Sequence, residues 1–163
     1  MMSRLATPAD ATAIARIYNE GIADRTATFE TRPRSAGDIA TWFDGVHPIV
    51  VVERDSEVVA FAESATYRTR ECYAGVAEFS VYVDRTHRGT GAGHEAMEAL
   101  IAAAESGGFW KLVSRVFVDN IASRKLLARV GFREVGIYRR HARIDGAWRD
   151  VVIVERLLGD AAT

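Results

Sequence analysis

The 163-residue chain is predicted to adopt an α/β (α+β) fold, a mixed and mostly antiparallel sheet with helices on both faces. Three observations predict it. Apolar strand patterns joined by tight turns open and close the chain, helical patterns alternate with strands in its second half, and a glycine-rich turn joins a central strand directly to a helix. The resulting order is β-α-α-β-β-β-α-β-α-β-β. It reads as one domain over residues 1–163, with residues 159–163 as a loose tail.

Ser3 to Thr7 reads as a short strand. Thr7-Pro8-Ala9-Asp10 starts a helix, with Thr7 as N-cap, Pro8 at the first helical position and Asp10 at the positive end. Ala11, Ile14, Ile17 and Tyr18 carry that helix to about Gly21. Ser35, with Asp38 three residues later, opens a second helix leading to Ile39, Trp42 and Phe43. The connection between them, residues 22–34, holds Phe29, Glu30 and Arg32; it is either a functional loop or a surface loop pinned by Phe29.

Ile49 to Glu53 is a buried strand and Val58 to Tyr67 another, with Asp55-Ser56 as the hairpin turn between them. Ala74 to Asp84 feeds the glycine-rich turn. The helix after that turn carries Ala96, Met97, Leu100, Ile101 and Ala104 on one stripe and ends at Gly107-Gly108. Leu112 to Val118 is the next strand. Asp119-Asn120 caps a helix bearing Leu126, Leu127 and Val130, which Gly131 stops. Phe132 to Tyr138 and Trp148 to Leu157 close the chain as strands joined around Asp145-Gly146. The Glu78 strand, the glycine-turn helix and the Leu112 strand make one right-handed βαβ unit. Ligands of such sheets bind at the carboxyl ends of the strands, where the turn lies.

The turn itself reads Val81-Tyr82-Val83-Asp84-Arg85-Thr86-His87-Arg88-Gly89-Thr90-Gly91-Ala92-Gly93. Glycines let backbone N–H groups approach a ligand closely, and the first turn of the helix adds unpaired amides at its positive end. That is a cradle for a phosphate or pyrophosphate, or else a tight strand-to-helix turn that binds nothing. A Walker loop is excluded, because Gly93 is followed by His94 and Glu95 rather than Lys and Ser or Thr. The dinucleotide fingerprint is excluded too: the glycines are spaced G-x-G-x-G, and no acid-terminated second strand follows at its distance.

Composition narrows the partners. With 48% hydrophobic and 26% charged residues the chain has the make-up of an ordinary globular protein. A formal net charge of −1 argues against a general nucleic-acid or membrane-surface binder. Cys72 is the only cysteine, so no internal disulfide can form and a reducing, cytoplasmic setting is expected. No apolar run is long enough to span a bilayer, and no basic-then-apolar leader is seen. Four scattered histidines and one cysteine make no metal site, so no metal is expected.

Taken together, the element order, the Arg88-Gly89-Thr90-Gly91-Ala92-Gly93 loop and Asn120 through Gly131-Phe132 resemble the GNAT superfamily of N-acetyltransferases. Its signature is Arg or Gln, two residues, Gly, one residue, then Gly or Ala, and Arg88, Gly91 and Gly93 fill it. A closer resemblance is to the branch acting on phosphinothricin, methionine sulfoximine and arsinothricin. It is carried by Ile17-Tyr18-Asn19, Ala27-Thr28-Phe29-Glu30, Arg70 to Tyr73, Glu78 through Val83 with Arg85, His87 and Arg88, and Gly146-Ala147-Trp148-Arg149-Asp150-Val151.

The resemblance implies a GNAT-like sheet and an acetyl-CoA-dependent transfer to the α-amine of a small amino acid, a glutamate-analogue toxin of the resistance type. The alternatives are another amine acceptor (a protein N-terminus or polyamine) or a non-catalytic acyl-CoA-binding domain. It further implies coenzyme A on residues 88 to 93 (Arg88, Gly89, Thr90, Gly91, Ala92, Gly93), with His87 beside them. Its pantetheine arm would lie along Val81, Tyr82 and Val83 and against Asn120 and Ser123. Asn120 can equally be only the N-cap of its helix. His87 and His94 can be phosphate-side or solvent groups.

Alternation places Glu78, Ser80 and Tyr82 on one face of their strand and Phe79, Val81 and Val83 on the other. By resemblance Glu78 is the general base that frees the amine; without it, Glu78 reads as a solvent-facing residue of an amphipathic strand. Arg70 would bind the substrate's acidic group, or is a surface arginine paired with Glu71. Phe29 and Tyr73 would wall the substrate pocket, or serve as core packing. Many relatives carry a Tyr or His where this chain has Leu127, which can give no proton to a departing thiolate. Tyr138, Tyr82, a water or unassisted departure must then serve. The branch usually forms homodimers, so one is expected here.

Overall fold

Ile49 to Val52 is apolar on both faces because both faces are covered. Val50 and Val52 join a cluster with Met97, Leu100 and Leu112, while Ile49 and Val51 join one with Ile14, Ile17 and Phe61. In the computed structural model, which describes residues 1–25 and 28–163, that strand is one of seven. The chain runs β1 (Met2–Leu5), α1 (Ala11–Asp24), α2 (Ala36–Ala40), β2 (Ile49–Arg54), β3 (Glu57–Thr66) and β4 (Val76–Val83). It continues α3 (Ala92–Ser106), β5 (Lys111–Phe117), α4 (Ile121–Arg129), β6 (Arg133–Ile144) and β7 (Ala147–Leu157). One sheet takes the order β1-β2-β3-β4-β5-β7-β6. Every neighbouring pair is antiparallel except β4 and β5, which are parallel across α3. The mixed, mostly antiparallel sheet with helices on both faces is the fold the element order predicts.

Several boundaries differ for physical reasons. The first helix does not stop at Gly21 but runs a further turn to Asp24, where Arg25 takes a left-handed conformation at φ 55°. Gly21 sits inside the helix because the Tyr82 ring lies against it; an added Cβ would come within 3.1 Å of that ring. The second helix is only five residues long, held at its start by the reciprocal Ser35–Asp38 capping box. Trp42 and Phe43 follow it as non-helical residues packed on the α1-side core. The β2–β3 turn places Asp55 and Ser56 at φ 52° and 66°, the hairpin geometry expected of it. The strand predicted to end at Tyr138 resumes pairing with β7 at Ala142 after an irregularity, so β6 extends to Ile144. Residues 159–162 form a short exposed 3₁₀ turn.

Candidate active site

β4 and β5 pair only from Val76↔Lys111 to Glu78↔Val113, although β4 stays paired to β3 as far as Ala60↔Val83. Past Glu78 the two parallel strands part, and β5 follows β7 instead. The Ser114 hydroxyl donates to the Phe79 carbonyl at 2.8 Å where they separate. Beyond it, every second backbone N–H and C=O of β4 faces a gap rather than a strand. A cavity of about 590 Å³ occupies that gap, with β4, β5, the glycine turn and α4 as its walls.

The glycine turn stands at one end of the cavity. Gly89 at φ 77° and Gly91 at φ 92° adopt left-handed backbone, which an L side chain would strain. Gly91 is the N-cap of α3, and the first helical bond runs from Glu95 N–H to the Gly91 carbonyl. The amides of residues 92 to 94 therefore have no helical acceptor and stand at the positive end of a 15-residue helix. Gly93 lets α3 approach, since a Cβ there would meet Leu126 at 3.1 Å and Val83 at 3.3 Å. The donor set is that of an anion site.

Charged side chains brace this turn from behind. Asp24, at the end of α1, takes Arg85 at 2.8 Å and Arg88 at 2.9 Å. Asp84 accepts from the Thr86 amide and hydroxyl, pairs with Arg16 at 2.5 Å and faces the His87 ring at 3.3 Å. Despite burial, those hydrogen bonds hold its carboxyl well below the usual carboxylate range. His87 is thus oriented by Asp84.

Of the cofactor-side residues picked from the sequence, the cavity lining brings together Val81, Tyr82, Val83, Arg88, Gly89 and Gly91. Gly93, Asn120 and Ser123 complete the set. Thr90 and His87 brace the turn, the Thr90 hydroxyl donating to the His87 carbonyl, and Ala92 is buried. Asn120 caps α4 by accepting from the Ser123 amide at 3.2 Å. Leu127 is buried and contributes hydrocarbon to the cavity wall. Tyr82 packs on Tyr18 and Phe61, and burial pushes its hydroxyl far above the ordinary tyrosine value. Tyr138 lies on the edge strand β6, separated from β4 by β7 and β5.

The substrate-side residues are more dispersed. Glu78 and Ser80 share a face, as alternation predicts, and Glu78 is about one-third exposed at its side chain. Two guanidiniums flank it, Arg68 at 3.6 Å and Arg115 at 3.5 Å. Arg70 caps the short turn at residues 71–73, is exposed, and stands apart from the cavity lining. Tyr73 is 39% exposed and meets Tyr67 edge-on at 5.7 Å. Phe29 packs edge-on at 4.8 Å against Phe117, a residue of the cavity wall. Ala27, part of the segment that includes Phe29, lies outside the described residues.

Sequence reasoning missed Arg68, Arg115 and Glu63. Glu63 on β3 stands opposite Ser80, whose hydroxyl donates to it. Burial raises its carboxyl to about 7. Among the described residues no cluster of three or more potential metal ligands occurs, and no helix is long and apolar enough to cross a membrane.

Comparison with known proteins accords with this geometry. Residues 14–132 match the family described as Acetyltransferase (GNAT) family. The phosphinothricin N-acetyltransferase of Alcaligenes faecalis is 32% identical, over 94% of this chain and 81% of its own. The L-methionine sulfoximine/L-methionine sulfone acetyltransferase of Pseudomonas aeruginosa is 31% identical, over 90% of this chain and 88% of its own. A solved GNAT-superfamily phosphinothricin acetyltransferase from Sinorhizobium meliloti, in complex with acetyl-CoA, superposes with a TM-score of 0.90. It is 27% identical and is matched over 98% of this chain and 89% of its own.

Proposed function

The chain belongs to the GNAT acetyltransferase family and is an acetyl-CoA-dependent N-acetyltransferase, and from that premise we propose that its acceptor is the α-amine of a small, acidic amino-acid analogue of the phosphinothricin and methionine sulfoximine kind. One observation carries the reading: the unpaired edge of β4 runs from the amide-rich turn at Gly91 to the place beside Glu78 where the strands part.

The amides of residues 88 to 94, with Arg88, would take the pyrophosphate of coenzyme A. Val81 and Val83 offer backbone groups to the pantetheine arm in the manner of an added strand, with Asn120 and Ser123 across the gap. When bound, acetyl-CoA supplies an activated acetyl thioester. Glu78 then acts as general base toward the amine, directly or through one water. Arg68 and Arg115 hold that carboxylate, and Arg70 and Tyr73, which stand outside the cavity lining, would with Phe29 meet the anionic side chain of an incoming acceptor. Leu127 leaves the thiolate to depart without a protein acid. A coenzyme A thiol titrates near an ordinary cysteine, about 8.5, so that departure is accessible at neutral pH.

The proposal extends to a cytoplasmic homodimer. The edge strand β6 is exposed along nearly its whole length, with Val135, Ile137 and Tyr138 open and Trp148 on its partner strand. The deciding experiment is release of free thiol from acetyl-CoA in the presence of phosphinothricin, methionine sulfoximine, a polyamine or a peptide with an N-terminal alanine. Release with the first two supports the reading. Release only with the polyamine or the peptide, or binding of acetyl-CoA without any turnover, overturns it.

A further inference from the structure

We propose that Glu63 is a positioning residue on the acceptor side, which receives through the Ser80 hydroxyl one of the protons the acceptor nitrogen gives up. The inference rests on the acetyl-transfer reading above. A primary ammonium must lose two protons to become an amide N–H, whereas Glu78 accounts for one. Glu63 supplies the second acceptor. Its carboxylate stands opposite Ser80 in the β3–β4 register, on the same sheet face as Glu78, whose own partner in that register is Ala65. Glu63 and Glu78 are thus diagonal neighbours, with about 7–8 Å between such positions.

Ser80 lines the cavity and donates its hydroxyl proton to Glu63, so its lone pairs remain for a donor arriving from the cavity. Transfer would break an N–H bond of the ammonium and form an O–H bond on Ser80 as Ser80's own O–H bond breaks and one forms on Glu63. Ser80 ends unchanged and Glu63 ends protonated. Glu78 is occupied by two arginines, but no ion pair to Glu63 occurs among the described residues. The titratable groups around Glu63 are Glu78 and Tyr82 on β4, Tyr18 on α1 and His47 before β2. Burial brings Glu63 to about 7, near the working pH of a proton acceptor.

The test compares the pH dependence of kcat/KM in wild type, Glu63→Gln, Ser80→Ala and Glu78→Gln, with acetyl-CoA affinity measured in each by titration calorimetry. Isotope-edited infrared spectroscopy of labelled glutamate carboxyls follows Glu63 directly. The expected result is an acid limb near pH 7 in wild type that disappears in Glu63→Gln and Ser80→Ala. Both variants should lose at least about tenfold in kcat/KM and keep acetyl-CoA affinity. In wild type a carboxyl band should titrate near pH 7, and it should be absent from Glu63→Gln. Wild-type rate and acid limb in Glu63→Gln, or the absence of a carboxyl band near pH 7 in wild type, would overturn the proposal. Loss in Glu78→Gln beside a normal Glu63→Gln would overturn it while leaving the acetyl-transfer reading intact. No thiol release from wild type with any amine overturns that reading itself.

Discussion

The Arg115 guanidinium lies 3.5 Å from the Glu78 carboxylate, spanning β4 and β5 where the two strands part. Both side chains are more than one-third exposed, so the pair adds at most about 1 kcal/mol to stability. Its value lies in placing a carboxylate at the head of the gap. Glu78→Gln should therefore melt within a degree or two of wild type and bind acetyl-CoA normally, because Glu78 is not part of the cavity lining. Its kcat should fall by about 10²-fold or more, the usual contribution of a general base. Steady-state kinetics beside calorimetry reads both. A loss of acetyl-CoA affinity would make Glu78 a structural residue.

Left-handed backbone at Gly91 separates strain from function. Gly91→Ala should cost about 1–2 kcal/mol in chemical denaturation, because φ 92° is unfavourable for an L side chain. Gly108→Ala is the control, with φ 86° and no atom within 4 Å of the added methyl. Both should lose similar stability. Only Gly91→Ala, which displaces the amides at the start of α3, should weaken acetyl-CoA binding, by about tenfold or more. Equal affinities in the two variants would remove the turn from the binding site.

At Leu127 a phenol can be offered to the cavity. The side chain is 1% exposed and belongs to the α3–α4 core, so Leu127→Tyr overpacks it and should cost about 1–3 kcal/mol. If the thiolate leaves unaided, kcat at pH 7–8 should not rise above wild type. A clear gain in kcat despite the lower melting temperature would show that protonation of the leaving group limits the reaction.

What could be read in advance divides along physical lines. The turn from Val81 to Gly93, the Asn120 cap and the face shared by Glu78 and Ser80 depend on contiguous residues and a period of two, so local pattern reveals them. Gly21 misleads because a helical glycine resembles a stop until the Tyr82 ring that needs the space is in place. Glu63 in Ala62-Glu63-Ser64-Ala65 reads as an ordinary polar residue on a strand. Only the cross-strand register, which no local pattern states, sets it against Ser80 and beside Glu78. Arg68 and Arg115 are hidden for the same reason: they are 47 residues apart in the sequence and meet at one carboxylate.

Glu63 also makes a prediction about stability whose sign is opposite to that of a salt-bridged carboxylate. Its folded value, about 7, lies above the ordinary glutamate value of about 4.3, so between the two the folded chain holds a proton that the unfolded chain has released. Stability is therefore unaffected at low pH, falls as pH rises from about 4.3 to 7, and is constant above that. Glu63→Gln keeps an acceptor for the Ser80 hydroxyl but carries no charge. Its stability advantage over wild type should be near zero at pH 4, grow through pH 5–7, and reach on the order of 3–4 kcal/mol at pH 8. Denaturant titrations of the two proteins at pH 4, 6 and 8 measure that difference directly. A difference that does not vary with pH would mean that Glu63 keeps an ordinary carboxyl, and its pairing with Ser80 would then be packing alone.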